Sequence, residues 1–250
     1  MIYQEAIVAD FESVSLEQFD KVKLLNRKDF KYVTPAVNVG VILKKMAGEY
    51  LVLEVEGRRI QHYETGYYDT PARQMYLCHH DGRLNREKIR IRSYMESSLS
   101  YFEIKCKTNN GYTRKRRVEG DTLQEELLGK YTEYNKDELQ LCLYNRFSRM
   151  TFANRQMSER VTVDLDLHYL NPLTGKNASL EEIAIIEIKS NDESRSRLRE
   201  ILLDMRIKPM GFSKYCIGSI LTDPQLKSGL FKKKLMKLDK LTNYSYGFIQ

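Results

Sequence analysis

The chain has 250 residues, 42% of them hydrophobic and 30% charged, with 41 Lys and Arg against 34 Asp and Glu and a formal net charge of +7. That length and apolar content suit a globular protein with a sizeable core, and the cation excess favours nucleic acid, phosphorylated molecules or an acidic membrane surface as partners. Four cysteines (Cys78, Cys106, Cys142 and Cys216) lack C-x-x-C spacing, which argues against a zinc site or disulfide framework and for free thiols in a reducing cytosol.

The N-terminus, M-I-Y-Q-E-A-I-V-A-D, has no basic stretch followed by an apolar one, so no secretory signal is read there. No run approaches the roughly 20 apolar residues of a membrane span. A helix is predicted over 15–21 from the capping box of Ser15 and Gln18, then a strand over 22–33. Thr34-Pro35 opens a helix over 35–47, with Val39, Ile42, Leu43 and Met46 at helical spacing. Strands follow at 50–56, 59–69, 74–79, 86–95, 100–107 and 113–119. Thr122 and Glu125 open another helix, and strands return at 144–152, 159–168 and 182–190. Asn191-Asp192 leads into a helix carrying Leu198, Ile201, Leu202 and Met205. A strand over 213–218 and a basic helix over 224–240, with K-K-K-L-M-K-L-D-K at its core, complete the series. Short connections make the strands antiparallel. No linker divides the chain, so residues 1–250 read as one domain.

The strands carry an unusual pattern. Side chains of a strand alternate between its two faces. In K-I-R-I-R, Lys88, Arg90 and Arg92 share one face and Ile89 and Ile91 the other; in F-E-I-K-C-K, Glu103, Lys105 and Lys107 oppose Phe102, Ile104 and Cys106. Thr113, Lys115 and Arg117 share a face, with Arg114 and Arg116 behind them. From Arg86 to Arg117 ten cations meet three acids. Two arrangements fit: a flat sheet with a basic face suited to nucleic acid, or a closed barrel with a charged interior, which needs a ligand or water because unpaired buried charge is prohibitive. Periodicity leaves these open.

Arg90 and Arg92 place adjacent planar forks along one line, suited to an anionic chain; the bland alternative is a surface ladder with Glu103. Arg27, Asp29 and Lys31 share a face of the first strand, where phosphate contact competes with simple solvation. Glu187 is a lone carboxylate in A-I-I-E-I-K. On the residues alone, pairing with Lys189 or an arginine outweighs ligation of a hard cation such as Mg²⁺. His62, His79, His80 and His168 show no metal spacing, and neither a P-loop nor a nucleophile elbow is present. The basic helix reads as a solvated face before a membrane or partner surface.

Taken in order, R-K-D-F-K-Y-V (27–33), Y-Y-D-T-P (67–71), R-x-K-I-R-I-R-S-Y (86–94), F-E-I-K (102–105), R-K-R-R (114–117), F-S-R-M-T-F (147–152), E-R-V-T-V-D-L-D-L (159–167), I-E-I-K (186–189) and F-S-K-Y (212–215) resemble the polyphosphate polymerase domain of the VTC (vacuolar transporter chaperone) family, a branch of the triphosphate tunnel metalloenzymes. The resemblance spans roughly residues 20–220. It implies an α+β fold: a closed antiparallel β-barrel with a charged lumen, covered outside by helices. It also implies transfer of the γ-phosphate of ATP to a growing inorganic polyphosphate chain, with release of ADP and help from Mn²⁺ or Mg²⁺.

Carried over by motif, the resemblance implies a catalytic set of Lys31, Arg90, Arg92, Lys105, Arg149, Arg160 and Lys214. Arg149 is preferred to Arg146 because Phe152 follows it by three. Further phosphate contacts are Arg27, Lys88, Lys107, Lys115, Arg117, Lys189 and Ser213, and Glu187 becomes the metal ligand. Many tunnel relatives hold metal with E-x-E-x-K in the first strand, where this chain has Arg27, Asp29 and Lys31. That loss, shared by the VTC branch, argues against a nucleotide cyclase or thiamine triphosphatase. ATP and polyphosphate are the implied partners, nucleic acid is not, and a membrane subunit is a candidate acceptor of the product; the expected location is cytoplasmic. Two other activities fit the same residues: a tripolyphosphatase or nucleoside triphosphatase with water as acceptor, and a non-catalytic polyanion binder. Against nucleic acid, the basic faces are expected to lack stacking aromatics, since Phe102 lies opposite Lys105.

Overall fold

The computed structural model describes residues 2–19, 28–109, 113–190 and 196–242. In chain order these form α1 (Ile2–Ala9), β1 (Ser13–Val14), α2 (Leu16–Phe19), β2 (Lys28–Pro35), α3 (Val39–Met46), β3 (Tyr50–Leu53), β4 (Ile60–Asp69), α4 (Gln74–His80), β5 (Arg86–Tyr94), β6 (Leu99–Lys107), β7 (Thr113–Glu119), α5 (Glu125–Tyr131), β8 (Gln140–Asn154), β9 (Glu159–Leu170), β10 (Asn177–Leu180), β11 (Ile183–Ser190), α6 (Arg197–Asp204), α7 (Lys214–Thr222) and α8 (Lys232–Thr242). The chain is an α+β protein with a large, mainly antiparallel sheet, in the hydrogen-bonded order β2-β11-β9-β8-β4-β5-β6-β7. Two compact units account for it: residues 1–62, 147–167 and 180–212 form the first, and residues 63–146, 168–179 and 213–250 the second.

The first unit buries the apolar faces of β2, β11, β9 and the C-terminal part of β8. Tyr32, Ile186, Ile188, Val161, Val163, Met150 and Phe152 pack with Val39, Ile42, Leu43 and Met46 of α3 and Leu198, Ile201 and Leu202 of α6. Each fully buried aliphatic or aromatic side chain of this kind contributes about 1.5–3 kcal/mol. Tyr50 ties the elements together: its hydroxyl donates to Glu159 at 2.6 Å and accepts from the Leu198 amide at 3.0 Å, which satisfies a backbone donor at the start of α6.

The second unit buries Ile89, Ile91, Phe102 and Ile104 of β5 and β6 against Met75 of α4 and Leu128 of α5. Its buried anchor is Asp69. One carboxylate oxygen accepts from the amides of Thr70 (2.8 Å) and Met75 (2.9 Å), the other from the Tyr76 amide (2.9 Å) and the Tyr215 hydroxyl (2.6 Å). The anion thus satisfies the first free amides of α4, where a negative charge also meets the positive end of the helix dipole.

Three expectations are corrected. The sheet is not a closed barrel by its strand pairing: among the described residues β2 and β7 end the order and do not pair with each other. On β2, part of the outer edge is taken by the 209–210 segment, through a Tyr32–Pro209 bridge and a Met210 amide bonded to the Lys31 carbonyl at 2.7 Å. Segments 74–79 and 213–218, expected as strands, are the helices α4 and α7. Both are helices with much of their surface buried, so their apolar residues show no one-sided stripe; α7 buries Tyr215, Cys216, Ile217, Gly218, Ser219 and Ile220. Helix α1 and the short strands β1 and β10 carried no readable signal. The capping box of Ser15 and Gln18 is formed, with bonds of 3.0 and 3.3 Å, and the end of the helix expected over 15–21 lies outside the described residues. The start of the strand expected over 22–33 and the Asn191-Asp192 helix start lie outside the described residues; Ser196 caps α6 through the Arg199 amide. All four cysteines are free, and no helix among the described residues is long and apolar enough to cross a membrane.

Gly218 shows how tightly α7 is packed. A Cβ there would lie 2.3 Å from Tyr169 Cδ1 and 2.8 Å from Leu143 Cδ2. Gly218→Ala is expected to destabilise the protein by about 1–3 kcal/mol through overpacking. Urea denaturation checks this, and an unshifted midpoint contradicts it.

Candidate functional site: two cationic sheet faces

In the second unit, strand register builds the basic face. Lys88 faces Lys105, which faces Lys115; Arg90 faces Glu103, which faces Arg117; Arg92 faces Tyr101, which faces Glu119. Six cations, Lys88, Arg90, Arg92, Lys105, Lys115 and Arg117, thus share a face with two carboxylates. Glu103 is the pivot and is 1% exposed. Its Oε2 accepts from Arg90 Nε at 2.7 Å and lies 2.6 Å from Arg90 Nη2; its Oε1 lies 2.5 Å from Lys115 Nζ and 3.9 Å from Arg117 Nε. Burial pushes the Glu103 carboxyl up, but Arg90, Arg92 and Lys115 outweigh it and hold the group well below the usual carboxylate range. The ladder with Glu103 therefore exists, but as a buried brace rather than a surface ion pair.

Arg92 lies over the Tyr63 ring at 5.8 Å, and Arg117 over Tyr101 at 3.4 Å and Tyr94 at 5.4 Å. Tyr94 packs against both Tyr63 and Tyr101. The expectation of a face without aromatics is thus wrong. Tyr94 and Tyr101 share the period-two faces of Arg92 and Glu103, a signal present in the sequence alongside Phe102. At the other end of β5, Lys88 Nζ donates to Ser213 Oγ at 3.1 Å, and the same Oγ accepts from the Cys216 amide to cap α7, whose first residue is Lys214. Lys107, at the end of β6, lines a separate cleft beside α5.

In the first unit, Lys31, Glu187 and Thr162 are in register across β2, β11 and β9, as are Lys189 and Arg160. Lys31 Nζ lies 3.4 Å from one Glu187 oxygen and Lys189 Nζ 3.6 Å from the other. Burial pushes the Glu187 carboxyl up, Lys189, Lys31 and Arg149 push it further down, and the net value falls well below the usual carboxylate range. Arg149 forms a two-pronged bond to Asp164, at 2.5 and 2.8 Å. Arg160 stacks over Phe19 at 4.2 Å and donates to its carbonyl at 3.4 Å. Arg146, the alternative to Arg149, belongs to the second unit, is largely exposed and pairs with Glu64. Arg27 lies outside the described residues.

The donor set for a metal is thin. Among the described residues no group of three or more His, Cys, Asp or Glu side chains could hold an ion. Glu187 offers one ionised carboxylate, which fits a hard cation only where phosphate oxygens complete the coordination.

The VTC domain matches residues 26–222 of the chain. The chain belongs to the VTC domain family. No curated relative matches it by sequence. Among solved structures, a candidate adenylyl cyclase from Hippeastrum, described as having a dominant triphosphatase activity, aligns with a TM-score of 0.51 at 13% identity, covering 81% of this chain and 97% of that one. Candidate adenylate cyclases from Vibrio parahaemolyticus (TM-score 0.46, 14% identity, 78% and 99% covered) and Bacillus halodurans (0.46, 14%, 76% and 96%) are also similar. The Hippeastrum likeness is one of fold.

Removing one partner of a buried ion cluster strands the others. Because the folded Glu103 carboxyl titrates below its unfolded counterpart, its stabilisation is fully present above the usual carboxylate range and is lost as pH falls through the folded value. Glu103→Gln is expected to cost about 3–5 kcal/mol at neutral pH, with a smaller loss in acid; denaturant titration at both pH values reads it, and equal stability at neutral pH refutes the brace. Burial also pulls the Lys115 ammonium down to about 8, with Glu103 opposing and Arg90 and Arg92 adding to the fall. As pH rises through that value the face loses a positive charge, so tripolyphosphate affinity should drop, and Lys115→Arg should flatten the drop. Calorimetric titration checks it; the same pH slope in K115R places the titrating group elsewhere.

Proposed function

We propose that this VTC-domain protein is a metal-dependent polyphosphate polymerase that transfers the γ-phosphate of ATP to a growing polyphosphate chain and releases ADP. The observation that carries the reading is the β5–β7 face: six cations in register, two of them braced on buried Glu103. Phosphoryl transfer asks a protein mainly for positioning and charge neutralisation, not for a covalent nucleophile. Arg90, held by Glu103 in a fixed geometry, presents its guanidinium without reorganisation at the moment of reaction. Arg92, Lys88, Lys105, Lys115 and Arg117 spread the charge of the triphosphate along the face. The terminal phosphate oxygen of the acceptor chain attacks the γ-phosphorus, and the bond from that phosphorus to the β,γ-bridging oxygen breaks, leaving ADP.

On the first unit's face, Lys31, Lys189, Arg149 and Arg160 are the proposed phosphate contacts. Glu187 would hold Mn²⁺ or Mg²⁺, which when bound supplies charge neutralisation at phosphate oxygens. Lys214 and Ser213, beside Lys88, are proposed contacts at the start of α7. ATP and polyphosphate are the proposed ligands, with a membrane subunit as a candidate acceptor of the product, and the cytoplasm is the proposed location. A second reading, hydrolysis with water as acceptor, draws on the triphosphatase activity described for the Hippeastrum protein.

The test is incubation of the purified protein with ATP, a polyphosphate primer and Mn²⁺, resolving chains, ADP and orthophosphate. Long chains with ADP support the polymerase, and orthophosphate without chains supports the hydrolase. Arg90→Ala breaks the Glu103 brace and so confounds folding with chemistry; Arg92→Ala is the cleaner variant. R92A should lower turnover by about 100-fold or more, the scale for losing one transition-state donor, and normal turnover in R92A rules out this face as the site.

A further inference from the structure

The strands that form the basic face carry a second set of cations on their other side. Arg114 and Arg116 of β7 are in register with Cys106 and Ile104 of β6. They share that side with the apolar residues packed on α4 and α5. Between this side of the strands and the C-terminal end of α5 lies a cleft of about 590 Å³, within the roughly 300–1,000 Å³ range of small-molecule sites. Arg114, Arg116 and Lys130 line it from this side, against two acids, Glu87 and Glu133; Arg86 and Lys107 border it too, although the strand period sets them on the face of Lys88 and Lys105.

Its internal bonding leaves the cation excess in place. Among the described residues neither Arg114 nor Arg116 forms an ion pair with a carboxylate. Arg116 instead lies over the face of Tyr131 at 4.8 Å, and Lys130 lies 5.7 Å from the same ring. A guanidinium stacked on a ring keeps its in-plane N–H donors available for oxygen ligands. Glu87 accepts from the Cys106 thiol at 3.5 Å. Burial pushes its carboxyl up, with the thiol's hydrogen bond opposing. A solvated charge patch would need no concavity; this one is a cleft walled by a sheet, a helix end and an aromatic ring.

We infer that this cleft is a second anion site, on the opposite side of β5–β7 from the proposed reaction face, and that it takes a small oligophosphate, either an inorganic chain or the phosphate tail of a nucleotide. Arg114, Arg116 and Lys130 are the principal contacts. The site goes beyond the proposed reaction, since none of these three side chains belongs to the set assigned to phosphoryl transfer.

Equilibrium dialysis of the whole chain with radiolabelled tripolyphosphate tests it, using wild type, R92A, R114Q/R116Q and K130Q. Both arginines of β7 are exposed, so the double variant should fold, which circular dichroism verifies; K130Q gives an independent variant on the helix. Wild type should bind two equivalents, R114Q/R116Q one, and K130Q should weaken the same class of site by roughly tenfold, one charge-assisted contact. Wild-type stoichiometry and affinity in both R114Q/R116Q and K130Q overturn the cleft. Loss in R114Q/R116Q with R92A unchanged upholds the cleft and rejects the reaction face instead. Displacement of the label remaining in R92A by ATP identifies the phosphate tail of a nucleotide as a ligand, and displacement by unlabelled tripolyphosphate alone identifies the inorganic chain.

Discussion

A single buried carboxylate, Glu103, makes the basic face of β5–β7 possible. Cations aligned on neighbouring strands repel one another, and cross-strand pairs of like charge weaken a sheet. Lys88, Lys105 and Lys115 are such a row. Glu103 sits in the next row, where it binds Arg90 and Lys115 on opposite oxygens. One anion thus neutralises part of the face and fixes the geometry of two cations at once, while the face as a whole stays cationic. Glu187 plays the corresponding part in the first unit, between Lys31 and Lys189. In both units a charged face is tolerated because an acid lies within it and a well-packed apolar side lies behind it.

That division of labour between faces was legible in the sequence because the period of a strand is two and the charges keep strict time with it. The K-I-R-I-R and F-E-I-K-C-K runs place Ile89, Ile91, Phe102 and Ile104 in the core as their alternation requires. Glu103 was visible only as a partner of Arg90. Its role as a brace depends on β7 lying on its other side, a register that no local pattern encodes. The ordered motifs reached the family, but the closed barrel they implied is not the strand pairing found.

The helices misread as strands failed for a common reason. Segments 74–79 and 213–218 are short and apolar, and α7 is buried on nearly every side. Without a solvent face there is no amphipathic period to read. What decides their conformation is a pair of caps: Asp69, five residues before α4 begins, and Ser213 directly before α7. The Asp69 signal is not local in sequence, because its carboxylate reaches across a turn, and the partner that completes it, Tyr215, comes from far along the chain. The tyrosines around Arg92 and Arg117 were missed for a different reason: aromatic residues at a strand end read equally well as core.

Among the described residues strand β7 ends the hydrogen-bonded order, and it carries Arg114, Lys115, Arg116 and Arg117 in succession. An exposed edge is a template for pairing with another chain, and charge is one of the ways proteins blunt it. Two copies meeting along β7 would bring eight cations together. A bound polyanion that covered these side chains would cancel that repulsion, so a ligand of the kind proposed for this face would also lift the barrier to edge-to-edge assembly.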